Sequence, residues 1–128
     1  MSLGRSEVMA FVATQNPEKS KAFYTAVLGL KLVEDAWFAI VLMAGDTRLH
    51  IEKVKEFTPQ PFTVLGWQVP DIAAMVASLA AKGVKFERFP GLEQDASGIW
   101  ATPDGGGKVA WFKDPDGNTL SLTQFGRG

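Results

Sequence analysis

The chain holds a single histidine, His50, and no cysteine. Imidazole titrates near neutral pH, so His50 is the residue best suited to bind a ligand oxygen or move a proton. Without cysteine there is no thiolate nucleophile, no thiolate zinc site and no disulfide framework. His50 falls in the alternating run Arg48-Leu49-His50-Ile51-Glu52, which puts leucine and isoleucine on one face of a strand and three polar side chains on the other. If the apolar face packs beneath a helix, His50 points to the opposite side. The same alternation in residues 119–123 gives Thr119, Ser121 and Thr123 a common face. Gln68, four residues after Val64, shares its face and can both donate and accept hydrogen bonds. The plainer reading of the two strand faces is that they meet water, with His50 bonded to a neighbour, and of Gln68 that it is a satisfied amide at a cavity edge. Trp37, Trp67, Trp100 and Trp111 all fall in predicted strands. Some are expected to line an apolar pocket, although core packing is the commoner fate of any one of them.

Other chemistry is absent or weak. No activated-serine elbow, phosphate-binding lysine loop or two-histidine helix occurs. The glycine run 105–107 is not followed by a helix start, so it reads as a turn and not as a phosphate cradle. The segment 87–97, with Glu87, Arg88, Glu93, Gln94 and Asp95, reads as a solvated loop, an insertion where selectivity could reside. Spacing within a loop assigns no acid–base role to Glu93 and Asp95.

The elements that must position these residues are legible from local signals. Asn16-Pro17-Glu18 starts a helix, with asparagine as the cap and proline at the first helical position. Phe23, Ala26, Val27 and Leu30 supply its apolar stripe, and Gly29 ends it. A second helix starts at Asp71 after Pro70, carries Ile72, Met75, Val76 and Leu79, and closes at Gly83. Strand-like runs precede both helices, at 8–14 and 62–69. After the helices, Gly29-Leu30-Lys31-Leu32 recurs as Gly83-Val84-Lys85-Phe86, and the preceding strands align Met9 with Val64. Each half ends in a hairpin: 37–43 with 48–52, and 109–113 with 119–123 across Asp114-Pro115-Asp116-Gly117-Asn118. Leu49 and Ile51 match Leu120 and Leu122, which aligns His50 with Ser121. The second half is longer between about 88 and 107, where residues 98–102 form a further strand. This is an internal repeat.

The predicted fold class is therefore α+β. Two repeated βαβββ modules form a half-open, barrel-like mixed sheet around a concave cavity, with the helices outside. Module one spans about 6–55, a linker with two prolines about 56–61, and module two about 62–125, within a single domain of 1–128. With 128 residues, 46% of them hydrophobic, the chain can bury a substantial core. Its formal net charge of −1 offers no field for nucleic acid or anionic lipid, and no apolar run is long enough to span a bilayer. With no charged start leading into an apolar signal core, the expected compartment is the cytoplasm.

The residues Asn16-Pro17-Glu18-Lys19-Ser20-Lys21-Ala22-Phe23-Tyr24, Leu28-Gly29-Leu30 and Phe112-Lys113-Asp114-Pro115-Asp116-Gly117-Asn118 resemble the vicinal oxygen chelate superfamily. That group is also called the glyoxalase, bleomycin-resistance and extradiol dioxygenase group. The resemblance runs from about residue 8 to 124. It implies a hollow that usually holds a divalent metal, with ligand positions that fall here on Met9, His50, Val64 and Ser121. Of these only His50 is a competent donor, so the chain departs from the pattern at three of four positions, and the usual metal site is rejected. A rearranged site using His50 with Glu52, Glu93 or Asp95 would restore a divalent ion; otherwise no cofactor is expected.

The reading that follows is a metal-independent binder of a small organic molecule, a drug or a metabolite. Its ligand-binding residues would be Met9, His50, Val64, Gln68, Trp100, Trp111 and Ser121, with His50 the candidate catalytic residue should chemistry occur. The alternatives are a metal-dependent lyase, isomerase or dioxygenase built on His50, metal-free acid–base catalysis by His50, and an interacting subunit whose hollow is filled by its own side chains. The resemblance also implies a homodimer.

Overall fold

In the computed structural model, which describes residues 2–126, β1 (Met9–Thr14) leads into α1 (Pro17–Ala22), followed by β2 (Lys31–Asp35), β3 (Ala39–Ala44) and β4 (Thr47–Lys53). The pattern repeats as β5 (Thr63–Gln68), α2 (Ile72–Ala81), β6 (Trp100–Ala101), β7 (Gly107–Lys113) and β8 (Thr119–Phe125). The strand orders are β1-β4-β3-β2 and β5-β8-β7-β6, with the first pair parallel and the rest antiparallel in each sheet. The two sheets lie in two compact units divided after Thr58. Each unit is thus a βαβββ module of an α+β fold. No helix among the described residues is long and apolar enough to cross a membrane.

In the second unit the local signals act as written. The Ala74 N–H donates to Asp71 Oδ1 at 3.1 Å, capping α2, and Gly83 takes the left-handed conformation that ends it. Ile72, Val76 and Leu79 are buried, each worth about 1.5–3 kcal/mol on full burial, while Met75 is exposed. Gln124 Oε1 accepts the Ile72 N–H at 2.8 Å, which places α2 on the sheet face that carries Leu120, Leu122 and Gln124. The β7–β8 turn is held by buried Asp114, whose Oδ1 accepts the Asp116 and Asn118 N–H groups and whose Oδ2 accepts Asn118 Nδ2.

The first helix departs from the prediction. Asn16 makes no side-chain capping bond, and its own N–H donates instead to Thr14 Oγ1 at 3.0 Å. After Ala22 the helix widens into a π-turn, Phe23–Val27, in which the Leu28 N–H reaches back five residues to the Phe23 carbonyl. The 3.6-residue spacing no longer applies there. The fully buried residues are Ser20 and Tyr24, whereas Phe23 is half-buried and Ala26 exposed.

Two strand predictions also change. Residues 83–86 form no full strand: Phe86 makes one bridge to Phe112, and Trp100 and Ala101 pair further along the same β7 edge with Val109 and Lys108. The insertion splits one edge strand into two pieces. Trp37 lies before β3 and not in it, and is 88% exposed.

In the first unit Asp35 accepts from Lys53 Nζ at 2.6 Å and Lys21 Nζ at 3.1 Å, tying β2 to β4 and to α1. Hydrogen bonds from Lys53 first and Lys21 second hold its carboxyl below the ordinary carboxylate range. A depressed folded-state value contributes stability above the unfolded value, 3.8, that is lost as pH falls through the folded value. Asp35→Asn is therefore expected to melt slightly below the parent at neutral pH, the pair being solvent-accessible, and the gap should close in acid below that range. Thermal unfolding along a pH series checks this, and a gap that persists unchanged in strong acid contradicts it.

Candidate functional site

Register decides which side chains of the second unit share a face. Trp111 pairs with Ser121, and Ser121 with Gly66, so these three form one cross-strand row. The next row on the same face runs Trp100, Val109, Thr123, Gln68. Thr119 pairs with Thr63 and Lys113 in a third. This face lies opposite α2, since Leu120, Leu122 and Gln124 occupy the alternate positions. Gln68, Trp100, Trp111 and Ser121 thus share one face, with Gln68 and Trp100 on its opposite edge strands and Trp111 beside Ser121.

The indoles of Trp100 and Trp111 are 6.0 Å apart at 35°, and Phe89 meets Trp111 edge-on at 5.3 Å and 87°. Edge-to-face contacts of this kind suit the ring quadrupoles. Ser121 is 8% exposed, and its Oγ lies 2.6 Å from where a Cβ on Gly66 would sit. A side chain at this position would force that hydroxyl to turn away. Val64 is different: the β5–β8 register shifts between Thr63 and Leu65, which leaves Val64 without a paired residue. Trp67 points to the helix side and stacks on Phe112 at 6.5 Å and 22°, as a core residue.

The first unit has the corresponding row Phe11, His50, Val41. Phe11 and His50 have ring centroids 5.5 Å apart at 57°. Arg48 and Glu52 flank His50 along β4 on the same face, opposite Leu49 and Ile51. The imidazole is half-buried and makes no side-chain hydrogen bond among the described residues. Met9 lies one same-face row away, paired with Arg48, and is 44% exposed. Phe11 and Gly66 therefore hold equivalent places beside His50 and Ser121.

The family pattern described as the Glyoxalase/Bleomycin resistance protein/Dioxygenase superfamily matches residues 7–122. The chain belongs to this superfamily. No curated protein matches it. Among solved structures, it is similar to an integron cassette protein from the mobile metagenome of Halifax Harbour sewage outfall, with 23% identity and a TM-score of 0.75 over 94% of this chain and 99% of that one. An antibiotic-binding protein, TnmS3 from Streptomyces sp. CB03234, is 25% identical, with a TM-score of 0.70 over 93% of this chain and 94% of that one. A lactoylglutathione lyase from Agrobacterium tumefaciens is 13% identical, with a TM-score of 0.72 over 94% and 93%. The likenesses to the integron cassette protein and the lyase, at these identities, concern the fold.

Within this superfamily fold, the positions that the resemblance offers for a metal do not fit one. In the first unit Met9 offers only a thioether and pairs in register with Arg48, and His50 lies beside a phenyl ring. In the second, Val64 has no donor atom, and the Ser121 hydroxyl is a poor ligand unless deprotonated. Among the described residues no three His, Asp or Glu side chains gather as a metal site would require. Of the acids considered for a rearranged site, Glu52 flanks His50 along β4, while Asp95 Oδ1 accepts the Ser97 and Ile99 N–H groups at 2.9 Å.

A cleft of about 610 Å³ opens on the helix side of the second sheet, lined by Pro70, Ile72, Glu93, Asp95, Lys108 and Gln124 among others. It faces away from the tryptophan rows, because Ala101, Lys108 and Gln124 form the alternate row. Sequence reasoning did not anticipate it. It also missed Gly66 and Phe89. A glycine inside a predicted strand signals close approach of another group, and that signal was available for Gly66. Phe89 lies in a loop with no periodicity, and only the fold brings it to Trp111.

Proposed function

We propose that this protein binds a small organic molecule with a flat unsaturated ring system, without a divalent metal. The observation that supports this reading is the Trp100–Trp111–Phe89 cluster, set beside Ser121 and Gln68 on the face opposite α2. Indole faces stack on planar groups, and the adjacent Ser121 hydroxyl, with the Gln68 amide further across the same face, can bond a carbonyl or hydroxyl at the ligand's edge. Val64 is assigned as a further ligand contact on this sheet; on the corresponding face of the first unit Met9 and His50 are assigned to ligand binding, with His50 the candidate catalytic residue if a bound molecule is turned over. The similarity to an antibiotic-binding protein favours sequestration of a drug or metabolite. The form in which we propose that it acts is a cytoplasmic homodimer. Exposed Phe11, Trp37 and Phe38 favour association with a second copy.

The test is equilibrium dialysis against a panel of planar aromatic antibiotics and dyes, in parallel with dialysis into zinc, nickel, manganese and iron(II) followed by elemental analysis. Binding of at least one aromatic compound by the metal-free protein, at one site per chain, is expected. The dimer mass should appear in sedimentation of the same sample. Stoichiometric metal retained by the parent and lost in His50→Ala would overturn the metal-free reading in favour of a metal-dependent lyase, isomerase or dioxygenase.

A further inference from the structure

The insertion between Phe86 and Trp100 is built around one side chain. Gln94 Oε1 accepts the Phe89 N–H at 2.8 Å, and Gln94 Nε2 donates to the Glu87 carbonyl at 2.9 Å and the Gly98 carbonyl at 2.8 Å. Both amide protons and one oxygen lone pair are therefore used on backbone groups. The Gln94 backbone also bridges Trp100. The start of the loop is fixed to β7 at the platform itself, where the Glu87 N–H donates to the Trp111 carbonyl at 2.8 Å. Arg88 closes the far side through the Asp95 and Ala96 carbonyls at 2.6 and 2.8 Å. A solvated loop would leave these groups to water. Here an amide side chain takes the place of a strand partner, and Phe89 hangs between its two attachments.

We propose that Gln94 is a positioning residue for the aromatic ligand face: its amide holds Phe89 edge-on to Trp111, and so sets how tightly a flat aromatic ligand is held. The proposal rests on the ligand face assigned above. The Gln94 amide is spent on the Phe89, Glu87 and Gly98 backbone groups. It acts by fixing Phe89 before binding, which removes an ordering cost that the ligand would otherwise meet. The loop is thereby part of the site's framework and not a lid.

Two readouts test it. The first needs no ligand: amide exchange at Phe89 and ring-to-ring cross-peaks between Phe89 and Trp111, read by NMR in the parent and in Gln94→Ala. Faster Phe89 exchange and loss of the cross-peaks are expected while β7 and β8 amides stay protected. Gln94→Glu keeps the acceptor but loses the donors to Glu87 and Gly98, so its Phe89 exchange should be faster than the parent's even if the alanine variant does not fold. Unchanged exchange or cross-peaks in the variants that fold overturn the proposal. The second readout is affinity for proflavine, a flat tricyclic dye, followed by tryptophan quenching. Gln94→Ala and Phe89→Ala should each weaken binding by about 2- to 10-fold, and the double variant no more than Phe89→Ala alone. A fully additive loss overturns action through Phe89. A parent that does not bind proflavine overturns the ligand face, and Gln94's part in affinity with it. A parent that binds, with Phe89 unmoved in Gln94→Ala, overturns Gln94's role alone.

Discussion

Phe112→Ala is expected to lower the unfolding free energy by about 3–5 kcal/mol, the usual cost of deleting a large aromatic side chain from a packed core. Phe112 is fully buried on β7, on the face covered by α2. Trp67 stacks on it at 6.5 Å, and the Phe86 ring meets it at 5.5 Å and 60°. Its backbone also bridges Phe86, the residue that opens the insertion. Truncation therefore leaves a cavity bounded by β5, β8 and the loop start, and those groups cannot collapse into it without breaking strand register. Phe112→Leu, which retains most of the volume, should lose under about 1.5 kcal/mol. Urea unfolding followed by tryptophan fluorescence and by exchange of β7 and β8 amides measures both. Equal losses for alanine and leucine would show that the ring packing contributes little.

Trp111→Ala should have the opposite profile, a small change in stability and a large loss of binding. Trp111 is half-buried on the face opposite α2, at the end of the row shared with Ser121 and Gly66. It is also the one ring that touches both Phe89 and Trp100 in the cluster. Removing it takes away the middle of the platform and leaves its neighbours without an edge partner. An aromatic anchor at the centre of a contact typically contributes about 2 kcal/mol or more, so the affinity for a planar ligand should fall by roughly 30-fold or more. Titration of the parent and the variant with the same aromatic compound reads the effect. Undiminished binding by Trp111→Ala would move the ligand away from this face.

The two substitutions lie one residue apart on a strand and are assigned opposite consequences, which is the result of pleating alone. That much was readable from alternation. The alternation of Arg48 to Glu52 and of Thr119 to Thr123 puts His50 on the face opposite Leu49 and Ile51, and Ser121 on the face opposite Leu120 and Leu122. Their rows are now Phe11–His50–Val41 and Gly66–Ser121–Trp111. The α2 cap at Asp71 and the Asp114 hairpin were equally legible, because their bonds close within three or four residues. The π-turn after Ala22 was not. A helix that loosens by one residue per turn keeps the same composition, and only the burial of Tyr24 and Ser20 in the folded chain reveals which face is covered. The split edge strand was also hidden, since residues 83–86 carry the same local pattern as residues 29–32.

Composition and local spacing by themselves determined the repeated βαβββ plan, the turns, and a donor inventory of one imidazole and no thiolate. These depend on dihedral preferences and hydrogen bonds that close over a few residues, and on what atoms the chain owns. Tertiary structure alone decided that Phe89 meets Trp111, that Ser121 covers Gly66, and that Gln94 holds the insertion together. Those contacts depend on strand register and loop closure between distant residues, and no local preference specifies either.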